Sequence, residues 1–295
     1  MRVAVLLEDR CKPNSNAFAY LQKYSAMCER ECIQFEGDKC KILESACPVC
    51  FNRARHCPDN AVIVINLPEE LDSEMSHCYG ENSFRLFRLP APRLEQVVGI
   101  LGPNGMGKST AVNLLSGSIT PNLGDWSNQT PDWDDVITTF PRGELRDYLT
   151  LLSEEGVSIA VKPQYIDKLP KIFEGEVNEL LERVDDRGEI DKYSEALGIG
   201  HILSRKLGSL SGGELQRVAL CATLLKEADV YFFDEPSSYL DIYERMRMVR
   251  IIQDLTATGK RVLVVEHDLA ILDVLCDLLH VVYGCLLYTS DAADD

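Results

Sequence analysis

Positive charge is in short supply: 30 lysines and arginines face 47 acidic residues, for a formal net charge of −17. A surface made for RNA or for an anionic bilayer needs clustered positive charge. The chain as a whole is a poor match to either, so a polyanionic partner would have to meet a local patch. The first 60 residues come nearest, with nine Lys/Arg against eight Asp/Glu. Long apolar runs are lacking too. None approaches the roughly 18 residues that a membrane-spanning helix needs, so no membrane partner is expected. Val3 to Leu7 is an apolar run of five residues, too short to read as the core of a secretory signal, which needs about 7–15. At 295 residues with 45% hydrophobic content, one large globular domain plus a small one is expected, soluble and intracellular.

Cysteine is not scarce. Eleven are present, and seven of them (Cys11, Cys28, Cys32, Cys40, Cys47, Cys50 and Cys57) fall within the first 57 residues. In a reducing compartment such crowding points to metal rather than to disulfides. Cys47-Pro48-Val49-Cys50-Phe51-Asn52-Arg53-Ala54-Arg55-His56-Cys57-Pro58 follows the ferredoxin run C-x2-C-x2-C-x3-C-P, except that Arg53 stands where the third cysteine should be. Iron–sulfur clusters, a zinc site that includes His56, and a metal-free remnant all remain open on spacing. Cys78, Cys221, Cys276 and Cys285 read as small buried apolar side chains. Ala61 to Ile65 reads as a strand, and the acidic stretch Glu69 to Glu74 as a linker, which puts a boundary near residue 73.

The main chemistry lies further on. Gly102-Pro103-Asn104-Gly105-Met106-Gly107-Lys108-Ser109-Thr110 follows the apolar run Val97 to Leu101 and precedes a helix-compatible segment. Strand, glycine-rich turn and helix form a phosphate-binding loop. Backbone N–H groups and the helix N-terminus face the anion, Lys108 reaches the β- and γ-phosphates, and Ser109 ligates Mg²⁺. Leu210-Ser211-Gly212-Gly213-Glu214-Leu215-Gln216-Arg217 opens a helix that runs to Leu225, a second N-terminus suited to phosphate. Val230 to Asp234 is an apolar strand ending in Asp234-Glu235-Pro236. Asp234 is placed to hold Mg²⁺ and Glu235 to orient or deprotonate the attacking water. Lys162-Pro163-Gln164-Tyr165 reads as a polar break, with Gln164 a candidate contact to Mg²⁺ and water. His267 ends the strand that begins at Arg261. Phe84 to Leu89 alternates as a half-buried strand. Tyr79 and Phe84 are candidates to stack on adenine.

Taken together these residues resemble an ABC-type ATPase. The likeness is closer still to the ribosome-recycling iron–sulfur ABC proteins, the RNase L inhibitor family. Asp9-Arg10-Cys11-Lys12-Pro13, the ferredoxin-like frame, Asn66-Leu67-Pro68, Arg88-Leu89-Pro90-Ala91-Pro92, Lys162 to Tyr165, Leu210 to Arg217 and Asp234 to Asp241 carry it, from about residue 3 to Gly284. The resemblance implies an α/β fold, with an ABC-type P-loop nucleotide-binding domain over 74–284 behind a small ferredoxin-like cysteine-rich domain over 1–73. It implies ATP and Mg²⁺ held by Gly102, Asn104, Gly105, Gly107, Lys108, Ser109, Thr110 and Asp234, with Tyr79 or Phe84 on adenine. Glu235, His267 and Gln164 would support hydrolysis. Ser211, Gly212, Gly213, Glu214 and Asp241 would serve ATP shared with a second nucleotide domain. Cys11, Cys28, Cys32, Cys47, Cys50 and Cys57 would ligate one or two [4Fe-4S] clusters. The family implies ribosome splitting after termination, a role at initiation on the small subunit, release and initiation factors as partners, and a cytoplasmic location.

Three departures stand out. Arg53 replaces one ligand, and an insert of about 12 residues displaces the closely spaced cysteine expected after Cys11, while Cys40 matches a cysteine outside the ligand set. Each nucleotide motif occurs once, so by the resemblance the chain reads as the N-terminal half with the first nucleotide domain, and hydrolysis is expected to need a second copy or the other half. Residues 285–295 leave the family pattern and read as a non-native tail. Two rival readings are an ATP-binding subunit of a membrane transporter, which would lack the cysteine head, and a ferredoxin-like electron carrier with a regulatory nucleotide domain.

Overall fold

A computed structural model describes residues 2–6, 10–25, 33–37, 39–42, 57–66, 75–80, 84–126, 131–154 and 156–283. These residues form two compact units. One takes in the described residues up to Arg88 together with 121–126; the other takes in 89–120 and 131–283. The boundary expected near residue 73 falls inside the first.

In the first unit, β1 (Arg2–Leu6) pairs antiparallel with β4 (Val62–Asn66), and β2 (Ile33–Glu36) pairs with β3 (Lys39–Ile42). The insert after Cys11 is largely a helix, α1 (Asn16–Ser25). Ser15 Oγ accepts from Phe18 N at 3.1 Å, which starts the helix. Ala17, Phe18 and Leu21 turn its apolar side inward, and Phe18 meets Phe35 edge-on at 5.1 Å. A second part of this unit is the pair β5 (Met75–Cys78) and β6 (Arg85–Phe87). The strand expected over Phe84 to Leu89 is thus only three residues long, because Arg88 turns to φ 52° and ends the extended run. Asn122 fastens the loop 121–126 to β5. Its side chain accepts from Cys78 N at 2.9 Å and donates to Cys78 O at 2.6 Å.

The second unit is built on five parallel strands in the order β11-β7-β10-β9-β8: β7 (Val97–Leu101), β8 (Ile159–Lys162), β9 (Val230–Asp234), β10 (Arg261–Val265) and β11 (Leu278–Val281). Parallel strands covered on both faces read as continuous apolar runs. Val230-Tyr231-Phe232-Phe233 and Val262-Leu263-Val264-Val265 are such runs, buried throughout. Helices α2 (Lys108–Leu115), α3 (Gly212–Leu224), α4 (Ile242–Thr256) and α5 (Leu269–Leu275) accompany the sheet. Register brings the strand ends level: Ile100 and Asp234 both pair with Val265, and Lys162 pairs with Phe233. The segments that leave β7, β8, β9 and β10 therefore emerge along one edge, where ligands sit in folds of this kind.

Candidate functional site

The loop from Gly102 to Gly107 leaves β7 and enters α2 directly. Gly107 is the helix N-cap, with φ 84°, a left-handed backbone that a side chain would strain. Gly102 is required for space, since a Cβ there would come within 2.6 Å of the Val282 carbonyl. Lys108 is buried, and its Nζ donates to the carbonyls of Gly102 and Pro103, both at 2.9 Å. Burial lowers its pKa, against the opposing pull of Glu235 and Asp234. Pro103, Asn104 and Gly105 on the loop and Ser109 in the first turn of α2 are exposed, while Thr110 is buried.

Glu235 is the meeting point of three strand ends. Gln164 Nε2 donates to its Oε1 at 2.8 Å, and His267 Nε2 lies 3.3 Å from the same oxygen. Ser238 Oγ donates to Oε2 at 3.3 Å. Its backbone sits at φ 47°, and its N–H donates to Val265 O at 2.9 Å. Asp234 beside it is buried, and desolvation, helped by the Glu235 charge, pushes its carboxyl up to about 6; Lys162 and Lys108 resist that rise. Sequence reasoning thus picked out Gln164, Asp234, Glu235 and His267 separately, and the structure brings them together with Lys108.

Three participants at this edge were not singled out. Lys162, read as part of a polar break, is the last residue of β8 and is completely buried. Its Nζ donates to Asp234 O at 2.8 Å and Glu235 O at 3.3 Å, and burial lowers its pKa to about 8. Gln216 on α3 donates to Glu235 O and Pro236 O. Glu266, also buried, accepts from Ser237 N at 2.8 Å and His267 N at 3.0 Å. The period of two along β8 was the available signal for Lys162, because it puts Lys162 on the face of buried Ala160.

The Ser211–Gly213 segment serves a helix end. Ser211 caps α3, and Glu214 Oε2 accepts from Ser211 N at 2.8 Å and Ser211 Oγ at 2.9 Å, a reciprocal cap. Glu214 Oε1 takes Arg205 at 2.8 Å, so both carboxylate oxygens have partners within the chain. Asp241 caps α4 by accepting from Tyr243 N and Glu244 N, both at 2.9 Å. Tyr239, left-handed at φ 63° and 72% exposed, covers the glycines. A Cβ on Gly213 would stand 2.9 Å from its carbonyl. Arg217, reaching Glu244 at 3.1 Å, joins α3 to α4.

Tyr79 and Phe84 belong to the first unit, with ring centroids 6.3 Å apart. So do Cys11 and Cys57, buried in its core beside Cys40. Burial pushes Cys40 up to about 12 and Cys57 to about 11. Cys28, Cys32, Cys47, Cys50 and Arg53, like the tail 285–295, lie outside the described residues.

The ABC transporter family model matches residues 93–238. That stretch leaves out the cysteine-rich head. Relatives that include it decide the matter. Translation initiation factor rli1 of Schizosaccharomyces pombe is 40% identical over 96% of this chain and 49% of its own length. An ABC transporter ATP-binding protein of Methanocaldococcus jannaschii, described as uncharacterized, is 42% identical over 96% of this chain and 47% of its own. Archaeal ABCE1, in a model of ribosome-bound Pelota and ABCE1, is 46% identical with a TM-score of 0.85 over 97% of this chain and 48% of its own. The chain belongs to the RNase L inhibitor family of ABC ATPases. Its second unit is the family's P-loop nucleotide-binding domain, and the chain spans about half the length of the relatives it matches.

Proposed function

We propose that this chain binds and hydrolyses ATP as the first nucleotide-binding half of a ribosome-recycling factor. The observation that carries the ATPase reading is the convergence of Gln164 and His267 on one oxygen of Glu235. A carboxylate held by two polar side chains at a strand end is suited to orient water and accept its proton. Lys108 exchanges its two loop carbonyls for phosphate oxygens, and Gly105, Gly107 and the start of α2 present N–H groups to the anion. Ser109 and Asp234 are the Mg²⁺ holders. The buried, crowded Asp234 carboxyl fits a cation, since a divalent charge relieves the strain of ionising it there. When bound, Mg²⁺ neutralises charge on the transferred phosphoryl group. Gln164 senses the γ-phosphate through the same amide that touches Glu235. Ser211, Gly212, Gly213 and the Tyr239–Asp241 segment form the face offered to a second nucleotide domain, whose ATP they close over. Tyr79 or Phe84 takes the adenine.

In the head we assign Cys11, Cys28, Cys32, Cys47, Cys50 and Cys57 to iron–sulfur ligation. The donor chemistry fits: Cys11 and Cys57 are thiols in one apolar core, and soft sulfur ligands suit iron–sulfur clusters. Burial keeps them neutral, so loading releases protons. A cluster would tie together segments far apart along the chain.

The partner is the small ribosomal subunit with its release and initiation factors, in splitting after termination and again at initiation, in the cytoplasm. The match of relatives across the head supports this over a transporter subunit, and no helix among the described residues is long and apolar enough to cross a membrane. Two experiments test the reading. Glu235→Gln should keep ATP binding and slow hydrolysis by roughly 10²–10⁴-fold, the usual contribution of a general base; an unaltered rate removes Glu235 from that role. Co-sedimentation with isolated small subunits should be seen and should weaken with salt, and its absence at every salt concentration removes the ribosomal partner.

A further inference from the structure

We propose that Lys162 and Gln216 are positioning residues: together they hold the Glu235 peptide in its left-handed conformation and so aim its carboxylate at the point where Gln164 and His267 meet. The inference deepens the ATPase reading of this site and rests on it. Successive carbonyls of an extended strand point to opposite sides. Those of Asp234, Glu235 and Pro236 instead gather around two donors. Lys162 Nζ takes Asp234 O at 2.8 Å and Glu235 O at 3.3 Å; Gln216 Nε2 takes Glu235 O at 2.8 Å and Pro236 O at 2.9 Å. The Glu235 carbonyl is thus shared by both donors, and the turn that brings the three carbonyls together is made at Glu235, with φ 47°.

A non-glycine residue keeps such a backbone only where its surroundings over-determine it. The donors arrive from separate elements, Lys162 from β8 and Gln216 from α3, and both are almost wholly buried. On the third side Val265 O accepts the Glu235 N–H at 2.9 Å. Gln216 is committed to its donor end: its Oε1 is buried without a partner among the described residues, and turning the amide would set that oxygen against two carbonyls. Lys162 also stands two residues before Gln164. One strand end therefore fixes both the peptide of Glu235 and the amide on its carboxylate.

The test compares Lys162→Met, Gln216→Met, the double variant and Glu235→Gln in the full chain. Three readouts are taken: the backbone ¹³C shifts of Glu235, which report its φ; the single-turnover rate of ATP hydrolysis; and ATP affinity. Either Met variant should move the Glu235 shifts towards the right-handed or extended range. Each should slow hydrolysis by roughly 10²-fold, as small misplacements of reacting groups do, with ATP affinity unchanged. Because both donors act on one carbonyl, the double variant should be scarcely slower than the worse single one. Unmoved Glu235 shifts in both Met variants overturn the proposal, as does a parallel loss of affinity and rate. If Lys162→Met does not fold, Gln216→Met decides alone. Unaltered hydrolysis by Glu235→Gln would remove the base reading, while the shifts would still decide whether the two donors set the backbone.

Discussion

The two compact units keep their chemistry in different kinds of places. In the second, every reactive side chain hangs from a strand end or a helix cap, and a buried parallel sheet fixes those ends level with one another. In the first, two short strand pairs and one ten-residue helix surround a core in which thiols sit among apolar side chains. Backbone hydrogen bonds and apolar burial position the residues of the nucleotide site. Three thiols lie in the core described for the head, so a cluster bound there, as proposed above, would add cross-links to that packing. On the cluster assignment proposed above, a metal-dependent module and a sheet-based one would lie on a single chain.

The strongest way to break this comparison is to strip metal from the protein. A structural metal contributes on the order of 10 kcal/mol to a small domain. Chelation should therefore open residues ahead of Met75, which hold the cysteine core, to limited proteolysis while ATP affinity stays unchanged. Loss of both together would show that the second unit is not self-sufficient. Next in size is Asp234→Asn. The folded protein holds the Asp234 proton more tightly than the unfolded chain does, with a pKa near 6 against 3.8. Its effect on stability is absent below about pH 4, grows as pH rises to 6, and by pH 7 is a loss of roughly 3 kcal/mol. Urea unfolding of the ligand-free protein should find the Asn variant more stable at pH 7 and no different at pH 3.5, with weaker Mg²⁺-dependent ATP binding. Equal gains at both pH values would refute the electrostatic cause. Lys108→Ala should lower ATP affinity by about 10- to 150-fold, from charge-assisted hydrogen bonds of about 1.5–3 kcal/mol, and leave the iron content of the head untouched. The smallest effect is expected for Asp241→Ala. Removing the cap of α4 should destabilise the second unit by about 1 kcal/mol, a fall in Tm of about 2–4 °C.

The nucleotide unit was largely legible in the sequence because its motifs are contiguous. Gly102 to Thr110 states a loop and its helix in nine letters, and Asp234-Glu235 closes an unbroken apolar strand. That Gln164 and His267 would share an oxygen of Glu235 was not legible, since strand order decides which ends are neighbours. Lys162 was hidden by the ordinary expectation that lysine stays in water, and Gln216 by its place inside a helix. Arg88 shortened β6 through a backbone angle that its letter does not announce. The insert after Cys11 looked like a disturbance of ligand spacing, yet it carries a helix that completes the core of the head. Cysteine spacing gave candidates, but which thiols meet depends on contacts made far apart along the chain.

One element of the sheet has a practical side. Among the described residues β11 is the last strand at its edge of the sheet, and Leu278, Leu279 and Val281 on it are 36–52% exposed. Open apolar edges invite pairing with another copy. During purification this strand is where reversible clumping would begin, so concentration, detergent traces and ionic strength should govern yield more than the nucleotide does. A lysine at Val281 would be the first change to try for a sample that stays monodisperse.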